Sequence, residues 1–87
     1  MAAFTIGRLL LETQGKPRQA AQAFGQARTL ASGGPLAEDA LARQVEALNM
    51  AGDVAAARQH ADLYRQLFPN GPRLQSVMRF GGLRASP

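Results

Sequence analysis

The stretch Ala57-Arg58-Gln59-His60-Ala61-Asp62-Leu63-Tyr64-Arg65-Gln66-Leu67-Phe68-Pro69-Asn70-Gly71-Pro72 decides how the chain folds. Ala57, Ala61, Tyr64 and Phe68 recur at intervals of four, three and four residues, so they share one face of an α-helix. Arg58, Asp62 and Arg65 run along another side of the same helix. Pro69-Asn70-Gly71-Pro72 closes it in a turn, because neither proline can continue a helix and the glycine admits conformations other residues avoid. Upstream, Gly52 stops the preceding helix, and Asp53 is placed to accept from the first free N–H groups of the new one. A shift of 37 residues toward the N-terminus meets the same pattern: Gly15 corresponds to Gly52, Ala20 to Ala57, Ala27 to Tyr64 and Ala31 to Phe68. The chain is therefore expected to repeat one unit, a helical hairpin, twice.

The rest of the sequence fits around these hairpins. A first helix is expected over about 4–14, burying Phe4, Ile6, Leu10 and Leu11. Pro17 suits the first turn of a second helix, where its missing N–H costs nothing, and Ala20, Phe24, Ala27 and Ala31 form its inner face. Gly25 costs about 1 kcal/mol against alanine in mid-helix, which points to the close approach of a neighbouring element. Ser32-Gly33-Gly34-Pro35 is the clearest break. A third helix follows to about Met50 with Leu41, Val45 and Leu48 inward, and a short fifth runs over about 73–80 with Leu74, Val77 and Met78. β-branched residues are few and no strand is expected. The predicted fold is all-α: two hairpins plus a C-terminal capping helix in one domain over 4–80, with 81–87 as a flexible tail.

Composition narrows the function classes. Eighty-seven residues leave room for one core. Without cysteine there is neither a disulfide framework nor a thiolate metal site. The longest aliphatic run, Leu9-Leu10-Leu11, is far short of the ~20 apolar residues that span a bilayer. No basic leader and small-residue cleavage site precede an apolar stretch, so the chain reads as cytoplasmic, or as a piece of a secreted parent, in which case periplasmic. The net charge of +4 and the pI near 11.2 raise the question of nucleic acid. Nine of the ten basic residues are arginines scattered along the chain, and four of the five aromatics fall on apolar helix faces where no base could stack, so both features argue against it.

With its alternation of small and large residues, the chain resembles the tetratricopeptide repeat family. The first unit, Ile6-Gly7 … Gly15 … Ala20 … Phe24 … Ala27, looks like the family pattern, with one residue extra in the first helix. The second, Leu41 … Leu48 … Gly52 … Ala57 … Pro69, keeps its terminating proline. Ala61 stands where an aromatic or leucine is usual, Tyr64 stands where a small residue is usual, and the period is 37 rather than about 34. The stretch from Ala57 to Val77 looks most like the longer repeats of bacterial periplasmic proteins, such as outer-membrane assembly lipoproteins, the Tol-Pal coordinator and the C-terminal repeats of FecR-type regulators. The resemblance implies an α-α superhelix whose first helices line a concave peptide-binding groove. Carried onto this chain, the groove face is Asp39, Arg43, Glu46, Asn49 and Met50, flanked by Arg8 and Arg79. Its arginines would suit an acidic segment or a peptide carboxylate, since the guanidinium fork pairs with that anion through two bonds.

Other candidate sites have plainer readings. His60 stands alone beside the apolar stripe, with no partner arrangement for catalysis. Gly33-Gly34 lacks the strand and lysine of a phosphate loop and reads as a linker. Glu38 and Asp39 are adjacent, so they are expected on different sides of the helix, compensating its dipole. Arg58, Asp62 and Arg65 read as a solvated ion-pair face. The expectation is a non-catalytic protein-interaction scaffold within a larger bacterial envelope or regulatory protein, without cofactor or metal. The alternatives are a dimerisation or assembly domain, since two repeats leave apolar surface for a second copy, and, less favoured, a basic nucleic-acid-binding module.

Overall fold

The computed structural model describes residues 3–12, 15–31 and 34–83. Five helices follow in order: α1 (Ala3–Glu12), α2 (Pro17–Ala31), α3 (Pro35–Met50), α4 (Val54–Leu67) and α5 (Leu74–Phe80). Among the described residues there is no strand, and the protein is all-α. The side chains of Phe4, Leu11 and Ala31, expected in the core, lie outside the described residues, as do Gln14, Ser32, Gly33 and Arg84.

Each boundary has a local cause. Gly15 and Gly52, 37 residues apart, both adopt left-handed backbone, with φ of 62° and 81°. This conformation lets the chain turn back so that Lys16 N–H bonds the Leu10 carbonyl at 2.7 Å and Asp53 N–H bonds that of Leu48 at 3.0 Å, satisfying carbonyls the helix ends leave free. Asp53 Oδ1 then caps α4, accepting from Ala56 N–H at 3.3 Å. Gly34-Pro35 opens α3, and the same pair recurs 37 residues later as Gly71-Pro72 in the turn before α5. Pro35 is the first residue of α3, whereas Pro72 lies two residues before α5 begins at Leu74.

Each helix packs on the next, and α3 also reaches α5. The short dimension of the molecule, 17 Å between Cα extremes, leaves room for two layers of helices about 10 Å apart. Two apolar clusters share the interior. Ala20, Ala21, Phe24 and Ala47, with Leu10 and Leu48 against them, join the first hairpin to α3. Leu41, Ala42, Val45, Ala57, Ala61, Tyr64 and Val77, with Phe68, Leu74, Phe80 and Leu83 against them, bind α3, α4 and α5.

Two expectations change and a third becomes specific. Ile6 is 38% exposed rather than buried, because Ala3, Gly7 and Leu10 form the stripe turned to α2, and Ile6 lies off it. A Cβ at Gly7 would stand 2.9 Å from the Phe24 ring, so the ring occupies the space a side chain there would need. Gly25 does permit a close approach, by a side chain: a Cβ there would stand 3.0 Å from Gln44 Nε2 of α3. Residues 81–83, expected to begin the tail, are instead packed: Gly81 is buried, Gly81 N–H bonds the Val77 carbonyl at 2.8 Å and Leu83 packs on the second cluster. Residues 84–87 lie outside the described residues.

Candidate interaction site between α3 and α5

Tyr64 is the largest fully buried side chain, and its ring brings a hydroxyl into an apolar interior. A buried hydroxyl without a partner costs about 1–3 kcal/mol. The sequence meets that cost from two directions. Tyr64 Oη donates to Glu38 Oε2 in the first turn of α3 and accepts from the Arg73 N–H at 3.1 Å in the turn before α5. The Arg73 guanidinium closes the ring, Nη1 donating to Glu38 Oε1 at 2.7 Å. Burial, and secondly the bond to Glu38, pushes the Tyr64 hydroxyl up to about 12.

The same arginine extends the network. Arg73 Nε lies 3.1 Å from Asp39 Oδ1, which lies 3.5 Å from Arg43 Nε, in ionic contact without well-aligned hydrogen bonds. Arg43 Nη1 in turn stands 3.7 Å from Glu46 Oε1, beyond hydrogen-bond distance. Glu38 and Asp39 thus do not go separate ways. Arg73 presents donors on two edges of one plane and takes a carboxylate on each, so the pair fixes the start of α5 as well as compensating the α3 dipole.

Beside this network a cleft of about 240 Å³ opens between α3 and α5, lined by Ala42, Arg43, Glu46, Arg73, Ser76, Val77 and Phe80. Ala42, Val77 and Phe80 give an apolar wall; Arg43, Ser76 and Glu46 give donors and an acceptor. Of the residues expected to bind a partner, Arg43 and Glu46 line the cleft and Asp39 supports it from below. Asn49 and Met50 are exposed in the last turn of α3, outside its lining. Arg79 is exposed with its guanidinium 5.5 Å from the centre of the Phe80 ring, and Arg8 is exposed on α1. Ser76 and Phe80 were missed by spacing arguments on α3 alone, and Arg73 carries no signal of its role because its partners are 34 and 35 residues away.

The charge of the cleft differs from that expected. Arg43 and Arg73 face Glu38, Asp39 and Glu46 of the same chain, so this region carries no excess of positive charge. His60 is half-buried, with Nδ1 2.8 Å from the Ala56 carbonyl of its own helix. Among the described residues no three His, Asp or Glu side chains gather to hold a metal ion, and no helix is long and apolar enough to cross a membrane. Comparison with protein-family models, curated proteins and solved structures finds no match to this chain.

Proposed function

We propose that the chain is a tetratricopeptide-like interaction module, two hairpins and a capping helix stacked as the beginning of an α-α superhelix, which binds a peptide segment of another protein between α3 and α5 and catalyses no reaction. The observation that carries this reading is the cleft itself. Its floor is fixed by the Glu38–Arg73–Asp39 pairs, while Arg43 and Glu46 on its rim face one another at 3.7 Å as an ion pair without a hydrogen bond, so each keeps hydrogen-bonding capacity for a ligand. A peptide entering there meets a donor, an acceptor and an apolar wall already in position, and such preorganisation lowers the entropic cost of binding. With the positive charge compensated, the cleft suits a segment of mixed polarity, one apolar side chain flanked by polar groups, more than an acidic one. The likeness of Ala57 to Val77 to repeats of bacterial envelope proteins supports placing the module within a larger protein of that kind.

The test uses peptides selected for binding to the domain, with affinity measured by calorimetry. Ser76 is exposed, so Ser76→Tyr fills the cleft without disturbing the core, and it should weaken binding at least tenfold, while Arg43→Ala should weaken it about fivefold. Selected peptides whose affinity neither variant changes would remove the cleft from the account.

A further inference from the structure

We propose that the outer face of α1 docks a second copy of this chain, the two α1 helices crossing antiparallel about a two-fold axis between Ile6 and Leu9. The internal repeat shows how such a face is used. Lys16 N–H bonds the Leu10 carbonyl and Asp53 N–H bonds that of Leu48, so Leu10 and Leu48 are equivalent, an interval of 38 residues that includes the extra one of the first helix. The contact stripe follows, Gly7 matching Val45 and Ala3 matching Leu41. On this register Ile6 and Leu9 stand where α3 has Gln44 and Ala47. Ala47 is wholly buried in the cluster that joins α3 to the first hairpin, and Gln44 Nε2 lies against Gly25 of α2. In the second hairpin this face is therefore covered by a helix of its neighbour. In the first it is open, with Ile6 38% and Leu9 39% exposed. A helix that ends a stack needs a polar outer face to stay soluble, and α1 presents an isoleucine and a leucine instead.

Charge decides the occupant. Ile6 and Leu9, three residues apart, share one stripe, and Arg8, two residues after Ile6, lies on the far side of the helix. The stripe is thus uncharged, and in a chain of net charge +4 it lets two copies meet without setting cations against cations. Neither an acidic helix nor a phosphate backbone would find a cation there. The dipole of α1 is also uncompensated: no acidic residue stands in its first turn, no basic residue in its last, and Glu12 ends it at the negative pole. A second copy corrects this. A two-fold axis midway between Ile6 and Leu9 brings Glu12 of each helix beside Ala3, in the first turn of the other, so each carboxylate meets a positive pole. A helix of ten residues is about 15 Å long, so the pair buries well under the ~1,600 Å² of a standard interface and the dimer is weak and reversible. The α3–α5 cleft is lined by no residue of α1 and stays open in it.

The experiment is sedimentation equilibrium of the whole chain over a wide range of concentration, at low and high salt. A reversible equilibrium between monomer and dimer is expected. Ile6→Gln and Leu9→Gln, both at partly exposed positions, should each raise the dissociation constant about tenfold, with circular dichroism showing the helices retained. Leu67→Gln, at a more open position on α4, should leave it unchanged. Glu12→Lys separates a contact within the chain from one between chains. Lysine suits the C-terminal end of its own helix, so the melting temperature of the dilute monomer should not fall, whereas the dimer should weaken about fivefold, and less at high salt. A chain that stays monomeric at every concentration overturns the proposal, as does a dimer that Ile6→Gln and Leu9→Gln leave intact or that Leu67→Gln weakens equally. A dimer strengthened by Glu12→Lys excludes the antiparallel arrangement and the proposal with it. Capture of a different helical protein through Ile6 and Leu9, by a chain that never pairs with itself, also overturns it and assigns the face to that protein.

Discussion

The two hairpins are built on one register and held by different physics. In the first, the bulky residue is Phe24 and the small one a turn later is Ala27; in the second, the small residue, Ala61, comes first and the bulky one, Tyr64, follows. All four are buried. Where Phe24 fills the space over Gly7 with its ring, Ala61 leaves it empty and the chain closes the gap with backbone: a Cβ at Gly81 would collide with the Ala61 methyl. Moving the aromatic one turn along carries a hydroxyl to the end of the bundle, where Glu38 and Arg73 meet it. The first hairpin is therefore an apolar joint fixed by volume, and the second a joint whose geometry is also fixed by direction, through hydrogen bonds. Aromatic packing serves both, but only the second ties three helices to one polar group.

The sharpest way to break the first joint is Phe24→Ala. Phe24 is fully exposed to none of the solvent and shares its cluster with alanines, which cannot collapse into the cavity left behind. The expected loss is about 3–5 kcal/mol, a large part of the total stability of so small a domain, and a urea titration followed by circular dichroism should show it. A loss below about 1 kcal/mol would mean that the two hairpins are not joined through this ring.

The second joint can be broken with base. In the unfolded chain the tyrosine hydroxyl ionises near 10, but in the fold it holds its proton to about 12. Its folded value is raised, so the stabilisation is fully present below pH 10 and is lost as pH rises toward 12. The loss should reach about 2–3 kcal/mol. Tyr64 is the one tyrosine of the chain, so its phenolate absorbance reports the event directly. Tyr64→Phe should be less stable than the parent at neutral pH, because Glu38 Oε2 loses its donor, and the alkaline difference between the two proteins should vanish. Equal alkaline profiles for both would show that the hydroxyl is free to ionise and that the network does not hold the second hairpin.

The same contrast explains what could be read in advance. The apolar joint was legible because its signals are local: Gly15, Gly52 and Pro17 mark the ends of helices, and the alanine stripe marks which face turns inward. The polar joint was not. Glu38 looks like a first-turn acid serving the helix dipole, and nothing in its neighbours says that it is 7% exposed and bonded to a residue 26 positions away. Its adjacency to Asp39 argued for separate sides, an inference that fails when a broad planar cation reaches both. Ile6 was misread for a simpler reason: in a short helix with one packed neighbour, a glycine can hold the contact position, and hydrophobicity alone points to the wrong residue.

Asp62→Ala gives the smallest expected effect and tests where the contrast ends. Asp62 accepts from Arg65 and from Gln66 at 3.1 Å, on the outer face of α4. Arg65 and Gln66 are exposed, and a pair of this kind on a helix surface contributes only about 0.3–0.5 kcal/mol, since water competes for both charges and two long side chains must be held still. Alanine returns part of that through its better helix propensity. The net change in thermal stability should therefore fall within about 0.5 kcal/mol and diminish further at high salt, where the pair is screened. A larger loss would mean that the outer face of α4 also takes part in holding the second hairpin, and the division between an apolar joint and a polar one would have to include the surface of α4 as well as its buried tyrosine.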